Sequence, residues 1–415
     1  MASWVAMRRG STLLALVFAA CGPAGQPDAG APPDASAAPT LFAAARTADI
    51  TPPPGVSIVG FGVREATAVR DPLEAAVLVL REGSRAVAIV TIDLPGIPEW
   101  HASLVRTSVA SRIGASYDDV IVAASHTHSA PMLGDDAWSR ETMSALVRIA
   151  ADARASLGPV SLAYGEARIS FDVNRRLVVD GIALSRPNPD GPRDPRARVI
   201  ALEAAGELRA VLTHVVCHPN ILRGVESTVV SADFPGEARR ALADLGAPWL
   251  YVTGSAGDVR PNIVDGDGEF RRGTDEDLVA IGGELASATR SALEGAVPLP
   301  AVGLATAHTT LVLPRADGSG ERTVELSAVR IGRLVLLTIP GEPLVAIGLA
   351  VEARVRAELD DVQVLVLGYT NGYADYIVTE EAARYGGYEV ERAVLAPQAA
   401  VAIEDALVAL AISLF

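Results

Sequence analysis

Ser125-His126-Thr127-His128-Ser129 closes the mostly apolar run Asp119-Val120-Ile121-Val122-Ala123-Ala124, and the fold is read outward from that junction. Two histidines two residues apart on extended backbone point to the same side, so both imidazoles converge on one ion or one substrate. The same pattern recurs downstream, where buried strands deliver polar tips into loops. Residues 208–216 run into Cys217-His218-Pro219-Asn220, and residues 249–253 run into Gly254-Ser255-Ala256-Gly257-Asp258-Val259-Arg260-Pro261-Asn262. The strand block 321–337 ends near Pro340-Gly341-Glu342-Pro343. Upstream, residues 72–80 and 85–93 read as a hairpin, with glycine and serine in the join Arg81-Glu82-Gly83-Ser84. Helical periodicity covers 99–114, 139–154, 278–293 and 344–359, starts again at Asp233, and runs from Val390 to the end. With no internal repeat or change of composition after residue 45, one large α/β domain of mixed β-sheets flanked by helices is expected.

Charge and composition narrow the functional classes. The chain has 415 residues, half of them hydrophobic, enough for a substantial core, and a formal charge of -15 with arginine as its basic residue. That balance argues against a nucleic-acid surface or charge-driven adhesion to anionic lipid. The first twenty residues read as a lipoprotein signal peptide: Arg8-Arg9, a short apolar core, then Ala19-Ala20-Cys21-Gly22. Cys21 would become the lipidated first residue, tying an exported protein to the bacterial cell envelope. Residues 21–44, rich in Pro, Ala, Asp and Gly, read as a flexible tether, with the catalytic domain at 45–415. Cys217 is then left without a partner in the chain, so stability comes from the core and not from disulfides. No CxxC, P-loop or GxGxxG signature is present.

His126, His218, Glu342 and Tyr376 offer two nitrogens and two oxygens, a mixed set that zinc accepts while keeping a position for water. Their long spacing is unlike that of an HExxH helix, so spacing alone leaves metal binding and ordinary polar packing both open. His214 sits in an extended apolar run and is expected to be packed, and His101 and His308 to have surface or packing roles. Asp93, Asp233 and Asp258 either orient histidines or cap loops.

Taken in order, Ser125-His126-Thr127-His128-Ser129-Ala130-Pro131, Cys217-His218-Pro219-Asn220, Gly257 to Asn262, Pro340-Gly341-Glu342, Asn371-Gly372-Tyr373-Ala374-Asp375-Tyr376 and Gly387-Tyr388-Glu389 resemble the neutral/alkaline ceramidase family, over most of the chain. The resemblance implies that fold and a zinc-dependent hydrolase cleaving the amide of N-acylsphingosine (ceramide) with metal-activated water. It implies zinc ligands at His126, His218, Glu342 and Tyr376, with His128 and Tyr388 contacting the reacting amide or its oxyanion. The family's serine in GDVSPN is replaced by Arg260, whose guanidinium stays protonated and is no nucleophile. Arg260 would instead clamp an anionic substrate or stabilise an oxyanion. The replacement keeps open a hydrolase of another amide, ester or anionic substrate, and a noncatalytic lipid-anchored binding protein. The short stretch after Glu389 leads to the expectation that the additional C-terminal immunoglobulin-like domain of longer relatives has no counterpart here, and the residues indicate no oligomeric state.

Overall fold

A computed structural model describes residues 40–415 except 223, 225 and 226. The lipoprotein signal, Cys21 and most of the expected tether lie outside the described residues. Three mixed sheets carry the architecture. The first orders Val120–Ala124, Arg85–Ile92, Glu74–Glu82, Phe42–Asp49 and Gly158–Pro159. The second orders Trp249–Thr253, Glu207–Val215, Arg196–Ala204, Ser161–Arg168 and Val297–Leu299, and the third Leu304–Pro314, Glu321–Ile331, Leu334–Thr338 and Gln363–Leu367. A smaller sheet joins Ile182–Asn188, Asp172–Val179 and Val259–Pro261.

The sheets face one another across a shared apolar layer that includes Leu78, Ile89 and Ile121 from the first, Leu162, Ile200 and Leu250 from the second, and Val329, Leu336 and Leu365 from the third. Helices cover their outer faces: Glu99–Ile113 and Ala137–Ala155 on the first, Asp233–Ala241 and Asp275–Glu294 on the second, Val345–Glu358 and Ala399–Ser413 on the third. Burial on both faces explains why residues 87–92 and 120–124 are almost continuously apolar where a half-exposed strand would alternate.

Each large sheet contains one parallel pair: Arg85–Ile92 with Val120–Ala124, Glu207–Val215 with Trp249–Thr253, and Leu334–Thr338 with Gln363–Leu367. Parallel neighbours end on the same side, so six loops leave from six carboxyl ends, where open α/β sheets place their ligands. Backbone bonds stitch those ends together. Ala124 donates to Tyr369 O at 3.0 Å, Asn371 to Val122 O at 2.8 Å and Gly368 to Thr253 O at 3.1 Å. Thr253 Oγ1 adds a bond to Ser125 O at 2.7 Å.

Two expected boundaries move. The folded part starts at strand Phe42–Asp49, inside the expected tether of 21–44, because Leu41, Ala43 and Ala45 are buried while Phe42 pairs with Arg81. Alanine-rich composition concealed that strand. At the other end the expected continuous helix from Val390 is two helices, Tyr388–Arg392 and Ala399–Ser413. Pro397 lies between them, and its missing N–H and ring exclude it from a helix interior. No helix among the described residues is long and apolar enough to cross a membrane.

Candidate metal centre

The loops from the parallel strand ends bring His126, His128, His218 and Glu342 together. The Nε2 atoms of His126 and His128 are 3.1 Å apart, and Glu342 Oε2 lies 3.3 Å from His126 Nε2 and 3.0 Å from His218 Nε2. The three histidines form the described group able to hold a metal ion, and all are buried. They converge for a reason other than the expected one. His126 is not extended; its φ is 68°, in the left-handed region, and its amide donates to Leu94 O at 2.9 Å. The turn at His126, not strand alternation, aims both rings at one point.

The far sides of the rings separate the histidines. Nδ1 of His218 donates to Ala256 O at 2.6 Å, and Nδ1 of His126 donates to Pro95 O. A neutral imidazole with its Nδ1 proton committed to a carbonyl presents a bare Nε2 lone pair, the usual arrangement of a metal-binding histidine. Burial pushes His218 down to about 4, so it is neutral near pH 7. Glu342 is held well below the usual carboxylate range; burial opposes its charge, but His126 and His218 outweigh it. A carboxylate oxygen and imidazole nitrogens converging in a buried site must share a cation, a proton or a metal ion, and this mixed nitrogen and oxygen donor set fits a metal ion. His128 differs: its Nδ1 is buried with no hydrogen-bond partner among the described residues, and burial and then His126 hold its pKa well below the ordinary value.

Glu342 and Tyr376 are register partners in the parallel pair Glu342–Pro343 and Tyr376–Ile377, with the Glu342 amide donating to Asp375 O at 2.8 Å. The Tyr376 phenol accepts from Arg175 Nη2 at 2.9 Å; burial pushes it well above its usual range while Arg175 pulls the other way. Tyr388 stands at the mouth, 47% exposed, its ring 5.6 Å from that of Tyr376. Arg260 lies elsewhere: its guanidinium sits 4.3 Å from the centre of the Phe270 ring and is not part of the cavity wall.

Three residues escaped the sequence reading. Tyr373 donates its hydroxyl to Glu342 Oε1, leaving Oε2 to face the histidines. Tyr373 lies within the motif quoted above, but only the second tyrosine was assigned a role. Tyr373→Phe is expected to weaken metal binding about 10- to 100-fold, the usual cost of losing a ligand's outer partner. Competition with a chromophoric chelator measures it; unchanged affinity would remove Tyr373 from the account. Tyr369 stacks on His126 with ring centres 4.1 Å apart. Arg175 reaches Tyr376, Gly257 O at 2.8 Å and Glu389 Oε1 at 2.8 Å. Successive strand residues normally point to opposite faces, but the register shift between Asn174 and Arg176 lets Arg175 and Arg176 both reach Glu389. No sequence signal announced that bulge.

Gly257 lets the loop after Trp249–Thr253 lie against Glu342. A Cβ there would sit 2.6 Å from Glu342 O and 2.8 Å from Pro343 O. Gly257→Ala is therefore expected to destabilise the protein by about 1–3 kcal/mol and to weaken metal binding as well. Thermal unfolding with and without metal checks both effects; equal melting temperatures would contradict the close approach.

Of the aspartates, Asp93 accepts from the Glu74 amide at 2.9 Å and from Arg239, Asp233 from the Leu222 and Phe234 amides at 3.1 and 2.9 Å, and Asp258 from Asn174 Nδ2 and the Val345 amide at 2.9 and 2.8 Å. They hold loops, while backbone carbonyls orient the histidines. His214 is buried, with Nε2 3.0 Å from Val366 O, and His308 is half exposed beside Asp118. Cys217 is buried and forms no disulfide among the described residues.

A cavity of about 350 Å³ opens over the cluster, within the range of small-molecule sites. Val59, Gly60, Pro95, Gly96 and Met132 supply its apolar wall; His126, His128, Glu342, Asp375, Arg392 and the tyrosines 373, 376 and 388 supply its polar one.

This architecture is the neutral ceramidase fold. The chain superposes on the crystal structure of neutral ceramidase from Pseudomonas aeruginosa with a TM-score of 0.74 and 20% identity, covering 91% of this chain and 74% of that one. A ceramidase complexed with C2 gives a TM-score of 0.76 at 20% identity over 91% of this chain and 75% of that one. In sequence, 65 residues are 46% identical to the neutral ceramidase of Mycobacterium tuberculosis, a match spanning 15% of this chain and 10% of that relative. No protein-family model matches the chain.

Proposed function

We propose that the protein is a zinc-dependent hydrolase that cleaves the amide bond of an N-acylated amphiphile, the class to which ceramide belongs. The observation that carries this reading is the meeting of Glu342 Oε2 with the Nε2 atoms of His126 and His218 beneath an open cavity. His126, His218 and Glu342 would hold the ion, and Tyr376, in register with Glu342, would complete the set. The ion supplies Lewis acidity, lowering the pKa of a water and polarising a carbonyl oxygen.

The chain's own groups account for the rest. His128, whose Nε2 stands at the cluster 3.1 Å from His126 Nε2 and which is neutral near pH 7, would take a proton from the attacking water and return it to the leaving amine. Arg175, fixed by Glu389 and Gly257 O, directs positive charge at the Tyr376 oxygen, beside which the amide oxygen becomes negative. Tyr388 at the mouth orients the acyl group. Because Arg260 lies on Phe270, charge stabilisation is assigned to Arg175. The names of the fold relatives and the partly apolar cavity wall support an amphiphilic amide as substrate. We also propose export and lipid anchoring through Cys21, tested by mass spectrometry of the mature protein's first residue.

The functional test is turnover of a fluorogenic ceramide and a panel of amides and esters before and after chelation. Amide cleavage lost on chelation and regained with zinc is expected. Cleavage that survives chelation, or none anywhere in the panel, would overturn the proposal.

A further inference from the structure

Two charged side chains in the cavity wall take no part in holding the cluster. Asp375 and Arg392 both line it, and among the described residues neither has a hydrogen-bond or ion-pair partner, including each other. Elsewhere the chain pairs its arginines densely: Arg70, Arg175, Arg176, Arg196 and Arg198 each meet at least one carboxylate within 3 Å. Arg392 instead lies over the Tyr388 ring, 5.8 Å from its centre, with all its donors left for a ligand.

Both side chains are held by backbone. Asp375 has a left-handed φ of 54°, and its carbonyl accepts the Glu342 amide, so the backbone that carries its carboxylate is fixed relative to the cluster. Arg392 ends the short helix Tyr388–Arg392, whose Glu389 is anchored by Arg175 and Arg176. One cavity thus presents an anion and a cation that feel each other's charge but form no ion pair or hydrogen bond with one another, beside the place where an amide would be cut.

We propose that the leaving head group of the substrate is zwitterionic, its anionic group meeting the Arg392 guanidinium and its cationic group meeting the Asp375 carboxylate. This rests on the amide-hydrolase reading above and names its substrate class. A head with one charge would satisfy one side chain and face the other with repulsion or nothing; a neutral head would satisfy neither. One charge-assisted hydrogen bond is worth about a tenfold preference. Because Arg392 is exposed, salt weakens its share.

The test uses three probes with the same acyl chain: N-lauroyl-lysine, with a carboxylate and an ε-ammonium, N-lauroyl-norleucine, with the carboxylate alone, and N-lauroyl-pentylamine, with neither. Zinc-loaded full-length protein is expected to favour the first over the third by at least tenfold in kcat/KM, with the second between them. Arg392→Gln should collapse the norleucine-to-pentylamine ratio, Asp375→Asn the lysine-to-norleucine ratio, and high salt should reduce the first. Hydrolysis of all three at similar rates, or ratios untouched by both substitutions, overturns the zwitterion while leaving the amide hydrolase standing. Cleavage of none of the three, with none in the wider amide panel, overturns the hydrolase reading and the zwitterion with it.

Discussion

His218→Ala is expected to abolish stoichiometric zinc binding and all metal-dependent turnover. His218 is fully buried, its Nδ1 proton is committed to Ala256 O, and its Nε2 stands 3.0 Å from Glu342 Oε2. Removing it takes away a ligand and leaves a buried carboxylate short of a partner. Loss of an outer partner alone costs about 10- to 100-fold in affinity, so loss of the ligand should exceed 100-fold. Isothermal titration with zinc, beside circular dichroism to show that the sheets are retained, measures it. Affinity within threefold of the parent would mean that the ion, if any, sits elsewhere.

The largest stability effect is expected at Glu389→Ala. The carboxylate is buried and binds two buried guanidinia, Arg175 Nε at 2.8 Å on Oε1 and Arg176 Nη1 at 2.5 Å on Oε2. Deleting it leaves two cations facing each other without the anion between them, and breaking a buried pair in this way costs about 3–5 kcal/mol. Arg175 keeps Tyr376 and Gly257 O, and Arg176 keeps Ala382 O and Gly386 O, which places the loss toward the lower end. Urea unfolding reads it directly. The same variant frees the 382–392 segment that carries Tyr388 and Arg392, so substrate KM should rise even where the fold survives. A loss below about 0.5 kcal/mol, the range of ordinary surface substitutions, would show that the arginine pair is not anchored by this carboxylate.

Much of this was legible in the chain because apolar runs ending in polar tips report strands that end at a site. Val120 to Ala124 before His126, and Leu334 to Thr338 before Glu342, were readable for that reason. What escaped depends on backbone that departs from regular structure. His126, Tyr369, Asn371 and Asp375 all have left-handed φ without being glycine, and such conformations are favoured only by tertiary context. The bulge that brings Arg175 and Arg176 onto one carboxylate is equally silent in sequence. Arg260 shows the opposite error: its position in a recognised motif suggested a place in the cavity, whereas the side chain turns to Phe270. A motif reports where the backbone passes, and the long side chain then follows the nearest favourable surface.

Metal content joined to turnover tests the central claim most directly. Purified protein, stripped with chelator and given one equivalent of zinc, is expected to bind about one ion per chain and to regain amide cleavage in proportion. A protein that takes up no zinc, or cleaves as well without it, would contradict the metal centre and leave the fold serving binding alone.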